Sequence, residues 1–143
     1  MADNVPMPAG YSGTPLVRKL GIKAGFKIWV IDPPPDYWDL LGPLPDNVSV
    51  GGPDERRLDF IHLFVTDRAR LEAQLGELRA HIAPAGMIWV SWPKKSSRMA
   101  TDLSEAVIRD LALAGGLVDV KVCAVDATWS GLKLVIRLRD RSE

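Results

Sequence analysis

The sequence predicts a single three-layer α/β domain, with a mostly parallel sheet, helices on its faces and a C-terminal antiparallel hairpin. Three observations predict it. Apolar runs at residues 26–31, 58–65 and 87–92 have the composition of strands buried on both faces. Helical spacing and polar turns separate these runs, which is the order of a parallel sheet. Leu117 to Val125 and Leu132 to Leu138 alternate apolar with other side chains, as half-buried strands do. The residues between them, Asp126 to Gly131, are too few for a helical crossover, so the last two strands form an antiparallel hairpin at the sheet edge.

Residues 1–13 are expected to be a flexible N-terminal arm, and residues 14–143 the domain. Thr14-Pro15-Leu16 reads as a helix start, with Thr14 as cap and Pro15 in the first turn, and Gly21 ends that helix. The run from Phe26 to Ile31 is the first strand. It leaves through Asp32-Pro33-Pro34-Pro35-Asp36, where three prolines remove three backbone donors. Asp36 to Leu41 makes one or two helical turns before Gly42-Pro43, and Val48 to Val50 is a short strand. Leu58 to Val65 is the second long strand and carries His62, read as a satisfied core or edge residue. Thr66 or Asp67 caps the next helix, whose Leu71, Leu75, Leu78 and Ile82 form one apolar stripe. Pro84-Ala85-Gly86 is expected to stop that helix and lead into the strand from Met87 to Trp92. Asp102-Leu103-Ser104-Glu105 reads as a capping box opening the last long helix, which Gly115-Gly116 ends.

Composition excludes several function classes. The 18 basic residues balance 18 acidic ones, so no net field draws in nucleic acid or an anionic membrane. No apolar run approaches the roughly 20 residues that span a bilayer, and residues 1–6 lack the pattern of a signal peptide. A single cysteine, Cys123, forms no internal disulfide, which suits a reducing compartment; the expected location is cytoplasmic. Phosphate-binding glycine loops and a nucleophile elbow are missing from the sequence, and His62, His81 and Cys123 are too scattered for a zinc site, so no metal is expected.

The best candidate site follows from where open α/β sheets bind ligands, at the carboxyl ends of their strands. Ser91, Trp92, Lys94, Lys95, Ser96 and Ser97 leave one such end. Asp126, Thr128, Trp129 and Ser130 lie on the hairpin loop, and Asp32 leaves the first strand. Together they offer ammonium groups, hydroxyls and aromatic faces to a small anionic ligand. A protein partner or a second copy of the chain is the other expected contact.

The lead-in from Leu20-Gly21 to Ile31-Asp32 joins strand to acidic residue, and Leu78 to Pro93 joins helix, Pro-x-Gly and strand. With the closing hairpin, residues 14–138 resemble the Rossmann-like core of class I methyltransferases. That resemblance implies a glycine-rich turn after the first strand, for the methionine end of S-adenosylmethionine, and a ribose-binding acid after the second. Asp32-Pro33-Pro34-Pro35 stands in place of the turn, and Val48 to Val50 runs into Gly51-Gly52. Proline supplies neither the donor nor the backbone freedom of glycine. The expectation is therefore a non-catalytic binding or regulatory domain on a methyltransferase-like fold, with S-adenosylmethionine not expected as its ligand. An atypical S-adenosylmethionine-dependent methyltransferase and a protein-interaction module are the alternatives. A second resemblance rests on Tyr11 to Leu16, Asp59 to Phe64, Trp89 to Lys95, Thr101-Asp102-Leu103 and Gly116 to Leu132. By these the chain is similar to the bacterial family called domain of unknown function 3052, which implies no assigned activity.

Overall fold

The computed structural model describes residues 14–141; the expected arm, residues 1–13, lies outside them. Strands β1 (Lys27–Ile31), β2 (Ser49–Val50), β3 (Leu58–Phe64), β4 (Ile82–Pro93), β5 (Leu117–Ala124) and β6 (Trp129–Ile136) form one sheet in the order β2-β1-β3-β4-β6-β5. The first four are parallel, β6 runs antiparallel to β4, and β5 pairs antiparallel with β6. The single α/β domain with its closing hairpin is as the sequence predicts.

Two cores flank the sheet. On one face, α3 (Arg68–Arg79) and α4 (Glu105–Ala114) bury Leu71, Leu75, Leu78, Ile108 and Ala112 against Ile61, Ile88, Leu132 and Leu134. On the other, the short α1 (Leu16–Lys19) and α2 (Tyr37–Leu41) cover Ile28, Phe60, Met87 and Trp89. Trp89 Nε1 donates to the Leu20 carbonyl at 2.9 Å, which fixes the end of α1 to the middle of the sheet. This second layer has little regular helix, so loops and aromatic rings do much of its packing.

Several local expectations are corrected. Pro15, not Thr14, precedes α1, and no side chain caps it. Helix α3 ends at Arg79, so Ile82 opens β4 instead of closing the helix stripe. Pro84-Ala85-Gly86 lies inside β4, at a register shift where Leu58 pairs with Ile82 but Phe60 with Met87. The surplus residues on β4 leave the ladder there, so Pro84 costs no sheet hydrogen bond. Asp67 caps α3, accepting from the Arg70 amide at 3.0 Å. The cap of α4 is Ser104, which accepts from Val107 N. Asp102 instead accepts from the Arg68 amide at 2.8 Å, so it caps α3 across the loop. Trp129 and Ser130 belong to β6 and not to the hairpin loop.

Candidate functional site

The chain leaves β1 to build β2 on one side, then returns to place β3 on the other. The carboxyl ends of β1 and β3 therefore flank a topological switch point, the crevice where open α/β sheets bind ligands. Asp32 stands on one side of it, directly after β1. Arg70, in the first turn of α3 after β3, stands on the other and makes an ion pair with the Asp32 carboxylate. Both side chains are about half exposed, so the pair bridges the crevice mouth and stays open to solvent. Asp32 has φ +54°, the left-handed conformation that glycine adopts most readily. The first turn thus reaches a glycine-like geometry through an aspartate, ahead of the prolines.

The end of β2 lies lower on the sheet edge, since Val50 pairs with Ile28, the second residue of β1. Gly51 continues the ladder, its amide bonding to the Ile28 carbonyl at 2.7 Å. The chain then folds back so that Glu55 lies against it: a Cβ on Gly51 would sit 2.5 Å from Glu55 Cγ. An acid is therefore present at the carboxyl end of β2. It arrives by a turn and not by strand sequence, which is why spacing alone did not reveal it.

Behind the crevice is a buried polar chain. Tyr37 Oη lies 2.9 Å from His62 Nδ1, and His62 Nε2 lies 2.7 Å from Ser91 Oγ. Tyr37, His62 and Ser91 are all fully buried. Two proton arrangements satisfy both contacts: the hydroxyl of Tyr37 donates and His62 Nε2–H donates to Ser91, or the direction of both bonds is reversed. Phe64 stacks on His62 at 4.3 Å between ring centres, and Trp129 meets Phe64 edge-on at 5.1 Å. Burial pulls the His62 pKa down to about 3, so the ring is neutral, and it pushes the Tyr37 phenol above its ordinary range. Gly131 leaves room opposite this chain, since a Cβ there would meet Trp89 at 3.1 Å and Ser91 Oγ at 3.4 Å.

The residues singled out in the sequence divide between rim and core. Lys94 N donates to the Thr128 carbonyl at 2.8 Å, and Pro93 pairs with Trp129 and Trp92 with Ser130, so the two loops do meet at the carboxyl rim. Lys94, Lys95, Ser96 and Ser97 form a turn with a short 3-10 helix there, closed by Ser97 Oγ donating to the Lys94 carbonyl. Asp126 accepts from the amides of Thr128 and Trp129, both at 2.8 Å, and so holds the hairpin loop. Ser91 and Trp92 are core residues pointing to opposite faces: Ser91 bonds His62, and Trp92 packs with the α3/α4 layer. Tyr37, Glu55 and Arg70 were missed. Each sits in an ordinary-looking stretch and acquires its place only through strand order. Among the described residues, no group of three His, Cys, Asp or Glu side chains is placed to hold a metal, and no helix is long and apolar enough to cross a membrane.

No protein-family model matches the chain, and no curated protein matches it in sequence. Solved structures do. The DhpI–SAH complex aligns with 87% of this chain and 83% of its own, at a TM-score of 0.61 and 16% identity. A SAM-dependent methyltransferase from Aquifex aeolicus aligns over 85% and 88%, with a TM-score of 0.58 and 16% identity. Magnesium protoporphyrin IX methyltransferase from Synechocystis PCC 6803, solved with SAH bound, aligns over 85% and 78%, with a TM-score of 0.56 and 11% identity. The fold is thus that of Rossmann-like class I methyltransferases. The expectation of a non-catalytic binding or regulatory domain is corrected by these neighbours, as is the expectation that S-adenosylmethionine is not a ligand. Both leaned on the proline turn and on a missing acid. The turn has a left-handed residue in Asp32, and a carboxylate, Glu55, follows β2.

Proposed function

We propose that this chain is an atypical S-adenosylmethionine-dependent methyltransferase whose cofactor lies over the carboxyl ends of β1 and β2. The observation that carries this reading is the Asp32–Arg70 pair across the switch-point crevice. The amino-acid end of the cofactor needs an acceptor for its ammonium group and a donor for its carboxylate, and the pair offers both. The Glu55 carboxylate, at the end of β2, is the acceptor assigned to the ribose hydroxyls. When bound, the cofactor supplies an electrophilic methyl group to an acceptor nucleophile.

The chain's own contribution is positioning. Arg70 orients the Asp32 carboxylate across the crevice, and Asp32 itself supplies the left-handed residue of the turn. The buried Tyr37–His62–Ser91 chain stiffens the sheet behind the crevice. Lys94, Lys95, Ser96, Ser97 and Thr128, with Trp129 behind them, form the neighbouring wall, assigned here to an anionic or aromatic acceptor. Similarity to the domain of unknown function 3052 family belongs to the same proposal and rests on the residue runs given above.

The test is calorimetric titration of the full chain with S-adenosylmethionine and with SAH. Saturating binding is expected with Kd below about 100 μM, or roughly −5.5 kcal/mol. Asp32→Asn and Glu55→Gln are each expected to weaken it about tenfold, the loss of one charge-assisted hydrogen bond. Absence of binding by the folded wild type at about 1 mM overturns the proposal.

A further inference from the structure

At the opposite end of the sheet from the crevice, where β3 and β4 begin and β6 ends, lies an open cleft of about 570 Å³. Arg56, Arg57, Arg79 and Arg141 line it, with Asp140 the one acid among its lining residues. None of the four arginines makes an ion pair within 4.0 Å among the described residues, whereas Asp140 faces Arg139 at 4.0 Å. Arg56 and Arg141 are steered by backbone carbonyls, of Pro53 and Glu55 for the first and Ile136 for the second, and four cations beside one acid repel one another, which a fold tolerates most easily where an anion is taken up.

Arg79 adds an independent sign. Its Nε is shielded from solvent and has no hydrogen-bond partner among the described residues. A buried donor left unsatisfied costs about 1–3 kcal/mol, so natural proteins rarely keep one without a use. The side chain lies against Gly116, where a Cβ would come within 3.3 Å of the guanidinium carbon. Gly116 has φ +83°, so both its backbone and its missing side chain make room for the guanidinium.

The geometry points to this cleft as a second binding site, for a small molecule carrying two or more phosphate groups. Guanidinium forks match phosphate oxygens two at a time, and four of them exceed what a single carboxylate can use. The volume is within the range of ordinary small-molecule pockets. The site is separate from the crevice between β1 and β3 and does not depend on cofactor binding there.

The test is calorimetric titration of the full chain with inorganic pyrophosphate and with a nucleoside diphosphate at low ionic strength. One-to-one binding that weakens with added salt is expected for both if phosphate is what the cleft reads. Tighter binding of the nucleotide assigns the base and sugar a share of the cleft; equal binding assigns recognition to the phosphates alone. The double variant Arg56→Gln/Arg141→Gln, at one exposed and one half-buried arginine, is expected to bind at least about tenfold more weakly, and Arg79→Gln more weakly still. Arg98→Gln, on the far rim, is the control and leaves binding unchanged. The proposal is overturned by no binding at about 5 mM pyrophosphate. Wild-type affinity in the folded double variant overturns it as well, as does tighter binding of a single-stranded RNA oligonucleotide than of either small ligand.

Discussion

His62 occupies the centre of the sheet, flanked by Phe60 and Phe64, where a charge would have no water and no counter-ion. Its folded-state pKa is pulled down to about 3 from 6.5 by burial. The unfolded chain therefore binds a proton that the folded chain refuses anywhere between those values. The His62 contribution to stability is complete above 6.5 and is lost as pH falls towards 3, at up to about 1.4 kcal/mol per pH unit. Urea unfolding at several values between about pH 7.5 and 5 checks this against His62→Gln. The variant is less stable throughout but should show a shallower fall; parallel curves would refute the assignment. Tyr37→Phe should cost about 1–3 kcal/mol, because it leaves one His62 nitrogen without a partner. The apolar strand around His62 marked it as a satisfied core or edge residue, and its full burial decides for the core. Its partners were not legible: Tyr37 and Ser91 lie 25 and 29 positions away and converge only when α2 packs over β3 and β4 pairs with it.

Elements were read well where one pattern dominated and poorly where two coincided. Ile82 extends the Leu71–Leu75–Leu78 stripe by one helical step, yet the chain has already turned into β4. Pro84 looked like a stop because proline breaks ladders, but it falls on surplus residues of the register shift. Two glycines on either side of this junction differ in what they tolerate. Gly76 is exposed in the middle of α3, and an added Cβ there meets nothing within 4 Å. Gly76→Ala should stabilise the protein by about 0.5–1 kcal/mol, through helix propensity and a less flexible unfolded chain. Gly86 is packed against the neighbouring strand, with a Cβ falling 2.6 Å from the Leu58 carbonyl oxygen. Gly86→Ala should destabilise by about 1–3 kcal/mol, because backbone must move to admit the methyl group. Thermal melts of the two variants should shift in opposite directions; a rise for Gly86→Ala would mean that the register shift is more compliant than its close contact implies.

For the whole molecule, strand composition was enough to predict a parallel sheet with a closing hairpin, because each buried strand carries its own apolar signature. Strand order has no such local signature. The switch point between β1 and β3 could not be located from spacing, and with it went Arg70. The same order sets how the molecule opens. Strands β3 and β4 are paired on both sides and covered by both cores, whereas β2 is a two-residue edge and β5 is an edge strand with a register shift after Asp119. Amides of β3 and β4 should therefore exchange with solvent only on global unfolding, and those of β2 and β5 through smaller local openings. Ligands superimpose a second pattern on this one. SAH should slow exchange at the amides of Asp32, Asp36 and Tyr37 and at those of residues 50–52, and leave residues 79–82 unchanged. Pyrophosphate should slow residues 56–58 and 79–82 and leave the crevice unchanged. Each ligand stabilises only the openings that destroy its own site, so the two patterns separate the two proposals. Protection by SAH at the arginine cleft, or by pyrophosphate at the crevice, would mean that the corresponding site has been assigned to the wrong end of the sheet.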